Sequence, residues 1–330
     1  MKSWFHRSCL TFWLLTAISV VLVTSTPRAR ADEFGLDDEP ISERLIQTIT
    51  LTLPNGGDQA DVHFPNIPAQ LRATFTDAFP IIVLLQGANV NKDQYKPFAR
   101  RLARRGFVVV VANHFRVLGP PGTPPSLFTS TGVITNVLTK MQSEDGDSAS
   151  PLNGIVDTNT MGLVGHSFGG VAGLFASAGL CIPPFCETAP PFFPRPAALK
   201  AAAFYGTDLA GATIPPGFST TGVAVALLQG SRDSLSTPAE SAVTYPLLAQ
   251  PRALITINGA NHYGICKDNN PTGAAPDLNP PALEQSEAIS RIAQWASLWL
   301  RSQLKNDAIA KFRIYQLIRA DDDDVQIQTN

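Results

Sequence analysis

The chain has 330 residues, 44 % of them hydrophobic and 16 % charged, and a formal net charge of −2. That length and apolar content suffice for a large core, and single α/β domains of this size are common. The near-neutral balance, with no basic run or stripe, removes the electrostatic case for nucleic acid. No His/Cys/carboxylate cluster has zinc spacing, so neither a metal nor an organic cofactor is implied.

Residues 1–31 read as a secretory signal peptide. Lys2, His6 and Arg7 make a basic start, and Cys9 to Val23 is apolar but short for a membrane span. Ala29-Arg30-Ala31 offers small residues for cleavage before Asp32. The mature protein is therefore expected to be secreted or periplasmic, with no stable membrane span. Residues 32–330 read as one domain, with a core over about residues 40–305 and a tail ending in the acidic run Asp321–Asp324. Export favours disulfides. Cys9 leaves with the signal, so Cys181, Cys186 and Cys266 allow one internal bridge and leave one thiol over. A 181–186 pair and a bridge from that loop to Cys266 both stay open.

Arg44 to Leu53 alternates polar and apolar residues as a half-exposed strand does. The turn signal Pro54–Asp58 and a second strand, Gln59 to Phe64, predict an antiparallel hairpin. Strand-then-helix units follow. Apolar runs at 80–85, 107–112, 161–164, 199–205, 223–228 and 254–257 read as buried strands. Helical spacing predicts helices over 93–105, 127–141, 171–178 and 283–304. Leu180 to Pro196 is dense in proline and aromatic residues and reads as a surface excursion. The fold class expected is α/β: a mostly parallel central sheet, an N-terminal antiparallel hairpin and helices on both faces.

One stretch carries chemistry. The apolar run Met161–Val164 leads into Gly165-His166-Ser167-Phe168-Gly169-Gly170 and then into small and apolar residues of helical character. Strand, Gly-x-Ser-x-Gly and helix, in that order, is the context of a nucleophile elbow. The turn is tight enough to strain the serine backbone, so the positions two before and two after must lack bulk. A serine needs a base, and the base needs an orienting acid. Of the five histidines only His262 follows Ser167, in a loop just after the last apolar run. Asp233, after the preceding strand, is the preferred acid; Asp208, one strand earlier, is the alternative. The oxyanion needs two N–H donors, and Phe168 and Ala88 are the candidates. Gln86, His166 and Phe185 are the expected substrate-facing side chains.

On these residues the chain resembles the α/β-hydrolase group that includes dienelactone hydrolases, chlorophyllases, platelet-activating-factor acetylhydrolase-like esterases and bacterial polyester hydrolases. The resemblance runs through Pro80–Gly87, Phe107–Asn113, Gly165–Gly170, Gly230–Asp233 and Gly259–His262. It implies an α/β-hydrolase fold and a Ser-His-Asp triad acting through an acyl-enzyme. Gly-x-x-Asp followed by Gly-Ala-x-His is similar to polyester hydrolases and favours Asp233, whereas chlorophyllase-like members place the acid one strand earlier. Gln86-Gly87 replaces the usual His-Gly, and His166 stands where polyester hydrolases often carry Trp, which argues against aromatic polyesters. The function expected is an exported serine esterase whose partner is a small-molecule, lipid or polyester ester. A phospholipid or short-acyl lipid hydrolase and a cutinase-like hydrolase are the alternatives. The rival from another class is an inactive binding protein on the same fold, which has no need to keep Ser167, Asp233 and His262 together.

Overall fold

A computed structural model describes residues 41–72, 78–187, 191–316 and 324–330. The expected signal, its cleavage site, the acidic start before Ile41 and Asp321–Asp323 lie outside the described residues. Strands β1 (Ile46–Thr52) and β2 (Gln59–Pro65) form the hairpin, followed by the single turn α1 (Ala69–Arg72). Next come β3 (Phe79–Leu85), a 3-10 turn at Lys92–Tyr95, α2 (Lys96–Ala103) and β4 (Val108–Ala112). A short ribbon, β5 (Phe115–Arg116) with β6 (Ser126–Leu127), precedes α3 (Gly132–Gly146). Then β7 (Val156–His166), α4 (Phe168–Ser177), β8 (Leu199–Tyr205), β9 (Ala224–Gly230) and α5 (Pro238–Thr244) follow. The chain continues through β10 (Arg252–Ile257), α6 (Gln285–Leu304), α7 (Ala308–Tyr315) and β11 (Val325–Thr329).

Nine strands make one sheet in the order β1-β2-β4-β3-β7-β8-β9-β10-β11. The six from β4 to β10 are parallel, with the antiparallel hairpin on one edge and antiparallel β11 on the other. Alternate residues of each inner strand face opposite ways, which divides the core in two. Ile82, Leu84, Val109, Val111 and Val164 pack with α2 and α6. Ile81, Val83, Val108, Val110 and Leu163 pack with α3 and α4. This two-sided burial is why the inner strands read as unbroken apolar runs. The Trp299 indole N–H donates to the Ala202 carbonyl at 2.9 Å, tying α6 to the middle of the sheet.

Three details differ from the sequence reading. Residues 126–127 belong to the ribbon, so the helix expected from Leu127 starts at Gly132. The nucleophile strand is longer, because Asp157 to Thr160 extend it past its apolar part. The C-terminal tail is ordered at its end: Val325 to Thr329 pair with β10, with Val325 buried. No helix among the described residues is long and apolar enough to cross a membrane.

Buried His63 on β2 faces Thr48, whose hydroxyl lies 2.8 Å from its Nδ1. Burial outweighs the neighbouring Asp61 carboxylate and pulls its pKa from 6.5 to about 4. Between those two values the unfolded chain holds a proton that the native state refuses, so stability falls as pH drops through that window. His63→Asn should flatten the urea-midpoint slope there, with up to about 3 kcal/mol less acid loss.

Candidate active site

The C-terminal ends of the parallel strands collect the chemistry. Ser167 follows β7 directly, with φ +52° and ψ −123° and no cap hydrogen bond from its side chain. A non-glycine residue holds such a conformation only when its surroundings force it. The Ser167 N–H donates to Tyr205 O, and the Ser167 carbonyl accepts from the N–H groups of Gly170 and Val171 and from the Thr207 hydroxyl. Three glycines make room. A Cβ at Gly165 would lie 2.7 Å from Gly170 Cα, one at Gly169 would lie 2.2 Å from Leu85 O, and one at Gly170 would lie 1.9 Å from Thr207 Oγ1. The elbow therefore presses on the end of β3, the neighbouring strand.

That contact sets the start of α4 against the chain that leads into the Ala88 loop. The N–H groups of Ala88, in the loop after β3, and of Phe168, first residue of α4, have no partner among the described residues. Phe168 N–H points along the helix start, where the dipole favours negative charge.

His262 and Asp233 meet. His262 Nδ1 lies 2.8 Å from Asp233 Oδ2, and both residues are buried. A carboxylate only accepts, so Nδ1 carries the proton and Nε2 is the basic nitrogen. The second Asp233 oxygen accepts from the Leu235 and Ser236 N–H groups. Gly206, at the end of β8, leaves space for the pair, since a Cβ there would lie 2.9 Å from Asp233 Oδ2 and 3.0 Å from His262 Nδ1. Asp208 is occupied elsewhere: Oδ2 accepts from the Ser236 hydroxyl at 2.5 Å and Oδ1 from Ala210 N–H. The geometry thus pairs Asp233, not Asp208, with the histidine. The Ser167 hydroxyl is part-exposed and makes no hydrogen bond among the described residues. The residue before it, His166, packs its ring 4.8 Å from the His262 ring.

The other expected side chains are placed differently. His166 is wholly buried, with Tyr95 OH 2.9 Å from Nδ1 and the His262 carbonyl 2.9 Å from Nε2. Gln86 is buried too, its Oε1 accepting from His114 N–H while Nε2 has no partner. Neither is open to a substrate, which corrects the expectation for both. Each is taken up by internal hydrogen bonds, His166 to Tyr95 and the His262 carbonyl and Gln86 to the His114 N–H. Phe185 stands beside the nucleophile, its ring 4.7 Å from Phe168 and 5.5 Å from Phe175. It is carried by a loop closed by a Cys181–Cys186 disulfide; Cys266 is free and buried.

Sequence reasoning missed Asp277. Its Oδ2 accepts from His262 N–H at 2.8 Å and its Oδ1 from the Ser234 hydroxyl at 2.5 Å, so one carboxylate clips the acid loop to the histidine loop. It also missed a second Ser-His-Asp line. Ser130 Oγ lies 3.3 Å from His114 Nε2, and His114 Nδ1 lies 2.7 Å from Asp58 Oδ2. This one is no nucleophile. Glu187 Oε1 sits 3.2 Å from the same Nε2, so both ring nitrogens face carboxylates. Burial opposes charge on His114, but Asp58 and Glu187 outweigh it and raise its pKa. A doubly protonated ring cannot take a proton from Ser130, and the Glu187 carboxylate would repel an oxyanion. Its work is mechanical. With Arg116, which bonds Glu187, Pro184 O and Cys186 O, it clasps the disulfide loop that carries Phe185.

Among the described residues no group of three or more His, Cys, Asp or Glu is arranged to hold a metal. In comparisons with known proteins, no family model and no curated protein matches the chain. Gly169→Ala tests the elbow: the methyl would meet backbone oxygens on β3, so stability should fall by about 3 kcal/mol or more. Urea unfolding measures it, with part-buried Val171→Ala as the control expected to cost about 1 kcal/mol.

Proposed function

We propose that the protein is an exported serine hydrolase of carboxylic esters, built on an α/β-hydrolase fold. The observation that carries the reading is a strained, part-exposed serine at a strand-to-helix turn whose preceding residue packs 4.8 Å from His262, a histidine held at Nδ1 by a buried aspartate. His262 Nε2 takes the Ser167 proton as the oxygen attacks the ester carbonyl. The tetrahedral oxyanion receives the free N–H groups of Ala88 and Phe168. His262 passes its proton to the leaving alcohol, then activates water to release the acid and free Ser167. Asp233 stabilises the imidazolium in both halves and fixes the tautomer.

The apolar wall of Phe168 and Phe185 suits the acyl or alcohol portion of an uncharged ester. Export accounts for a disulfide at that wall. Ser167, His262, Asp233 and the Ala88 and Phe168 amides supply nucleophile, base, acid and oxyanion donors, and water completes the cycle.

Purified protein lacking residues 1–31 should hydrolyse p-nitrophenyl acetate and be labelled on Ser167 by a fluorophosphonate probe. Ser167→Ala should abolish labelling and lower kcat by about 10,000-fold or more. A folded wild type that neither turns over the ester nor takes the label would favour a binding protein. Asp233→Asn should cost about 10,000-fold in kcat, and Asp208→Asn less than about tenfold. The opposite ranking would hand the role to Asp208.

A further inference from the structure

We propose that Tyr95 and His166 form a neutral hydrogen-bonded strut that sets the oxyanion loop at a fixed distance from the base, making both of them positioning residues for ester hydrolysis. The proposal rests on the hydrolase reading above and adds to it two residues that touch no substrate.

Four groups lie in line. Gly87 N–H donates to Tyr95 OH at 2.8 Å. Tyr95 OH lies 2.9 Å from His166 Nδ1, and His166 Nε2 lies 2.9 Å from the His262 carbonyl. The two ends decide every proton between them. A main-chain amide only donates and a carbonyl only accepts. His166 must therefore carry its proton on Nε2, which leaves Nδ1 to accept from the tyrosine. The tyrosine oxygen in turn accepts from Gly87. All three bonds run one way, so no member can reverse without orphaning its neighbour.

Burial makes this arrangement rigid. Tyr95 and His166 are both completely inaccessible to solvent. Charging either would strand an ion: burial keeps the tyrosine protonated, and burial together with repulsion from His262 keeps His166 neutral. The His166 ring is wedged among Tyr95, Tyr205, His262 and Tyr263, with centroids 4.8 to 6.2 Å away. Gly87 lies against the strut itself, since a Cβ there would be 2.8 Å from His166 Nδ1 and 3.3 Å from Tyr95 OH.

The elements joined are those that have to act together. Gly87 precedes the oxyanion donor Ala88, His166 precedes the nucleophile, and the last acceptor is the base's own carbonyl. A second tie runs alongside: Gln94, next to Tyr95, accepts from Lys267 N–H and Asp268 N–H in the chain after His262. Catalysis by oxyanion donors needs placement to about 0.5 Å, which loops alone do not guarantee. A neutral strut has a further merit. When His262 becomes an imidazolium during turnover, the ring beside it adds no second positive charge.

A purely structural pair would change stability and leave the rate of each folded molecule alone. The test therefore reads both. In uniformly 15N-labelled-histidine protein, His166 should show a protonated Nε2 and an unprotonated Nδ1, with no titration over about pH 5 to 9. A protonated Nδ1, or a titration in that range, overturns the strut. With p-nitrophenyl acetate, folded Tyr95→Phe and His166→Ala should each lose ~10- to 100-fold in kcat with KM within about twofold. The Tyr95→Phe/His166→Ala double variant should be no slower than the slower single, because the two act as one unit. His166→Gln, whose amide N–H reaches the His262 carbonyl, should recover part of the His166→Ala loss. Wild-type kcat in folded Tyr95→Phe overturns the positioning role. An inactive wild type would instead sink the hydrolase reading, and with it that role, while the NMR result would still decide whether the strut exists.

Discussion

The backbone of Ser167 is held where an ordinary residue does not rest, at φ +52°. That one constraint organises the C-terminal edge of the sheet. The chain leaves β7 and starts α4 with no intervening loop, so the helix start must lie against the neighbouring strand ends. Glycine at 169 lets it touch the backbone of Leu85 and Gln86, and glycine at 170 lets Thr207 cap the turn from the other side. The strain is held by many partners at once: Tyr205 O, Thr207 Oγ1 and the first amides of α4 all grip the same residue. Conformational strain of about 1–3 kcal/mol persists only under such over-determination.

The protein holds two Ser-His-Asp assemblies, and residue identity does not distinguish them. Proton placement does. His262 has one carboxylate partner, on Nδ1, and its other nitrogen is left basic. His114 has a carboxylate at each nitrogen and is stabilised as a cation. The first arrangement is able to accept a proton from a hydroxyl; the second already holds both. The serines differ in the same direction. Ser167 is strained and part-exposed, whereas Ser130 is fully buried and donates to Glu187. The same three residue types thus leave a free basic nitrogen in one place and form an anchor in the other.

Much of this was legible in the chain. The inner strands announced themselves because burial on both faces erases alternation, and the hairpin because one face of β1 is wet and alternation returns. The acid assignment was legible because His262 and Asp233 follow adjacent strands, and the parallel order of β9 and β10 brings their loops side by side. What stayed hidden has a common cause. Asp277, the strut and the His114 clasp join residues far apart in sequence through single hydrogen bonds, which leave no periodicity. His166 shows the limit well. Its position beside the nucleophile suggests substrate contact, but a strand residue next to an outward-facing one points the other way. The ordered end of the tail was readable in principle, since Val325-Gln326-Ile327-Gln328-Thr329 alternates as an edge strand does.

The site divides into a rigid half and a tethered half. Serine, base, acid and oxyanion loop stand on strand ends and are cross-tied by buried groups: Tyr205 OH to Asn261 O, Asp277 to His262 N–H, and His166 to the His262 carbonyl. The aromatic wall stands on a long excursion between α4 and β8, held by a disulfide, an arginine and a charged histidine. The covalent link falls on the wall, and the third cysteine, buried near the base, forms no bridge. The disulfide and the charged clasp therefore belong to the excursion that carries the aromatic wall. The strand-end residues are tied instead by buried hydrogen bonds, each with a main-chain group at one end. This separation lets the excursion vary in sequence while Ser167, His262 and Asp233 stay fixed at the strand ends.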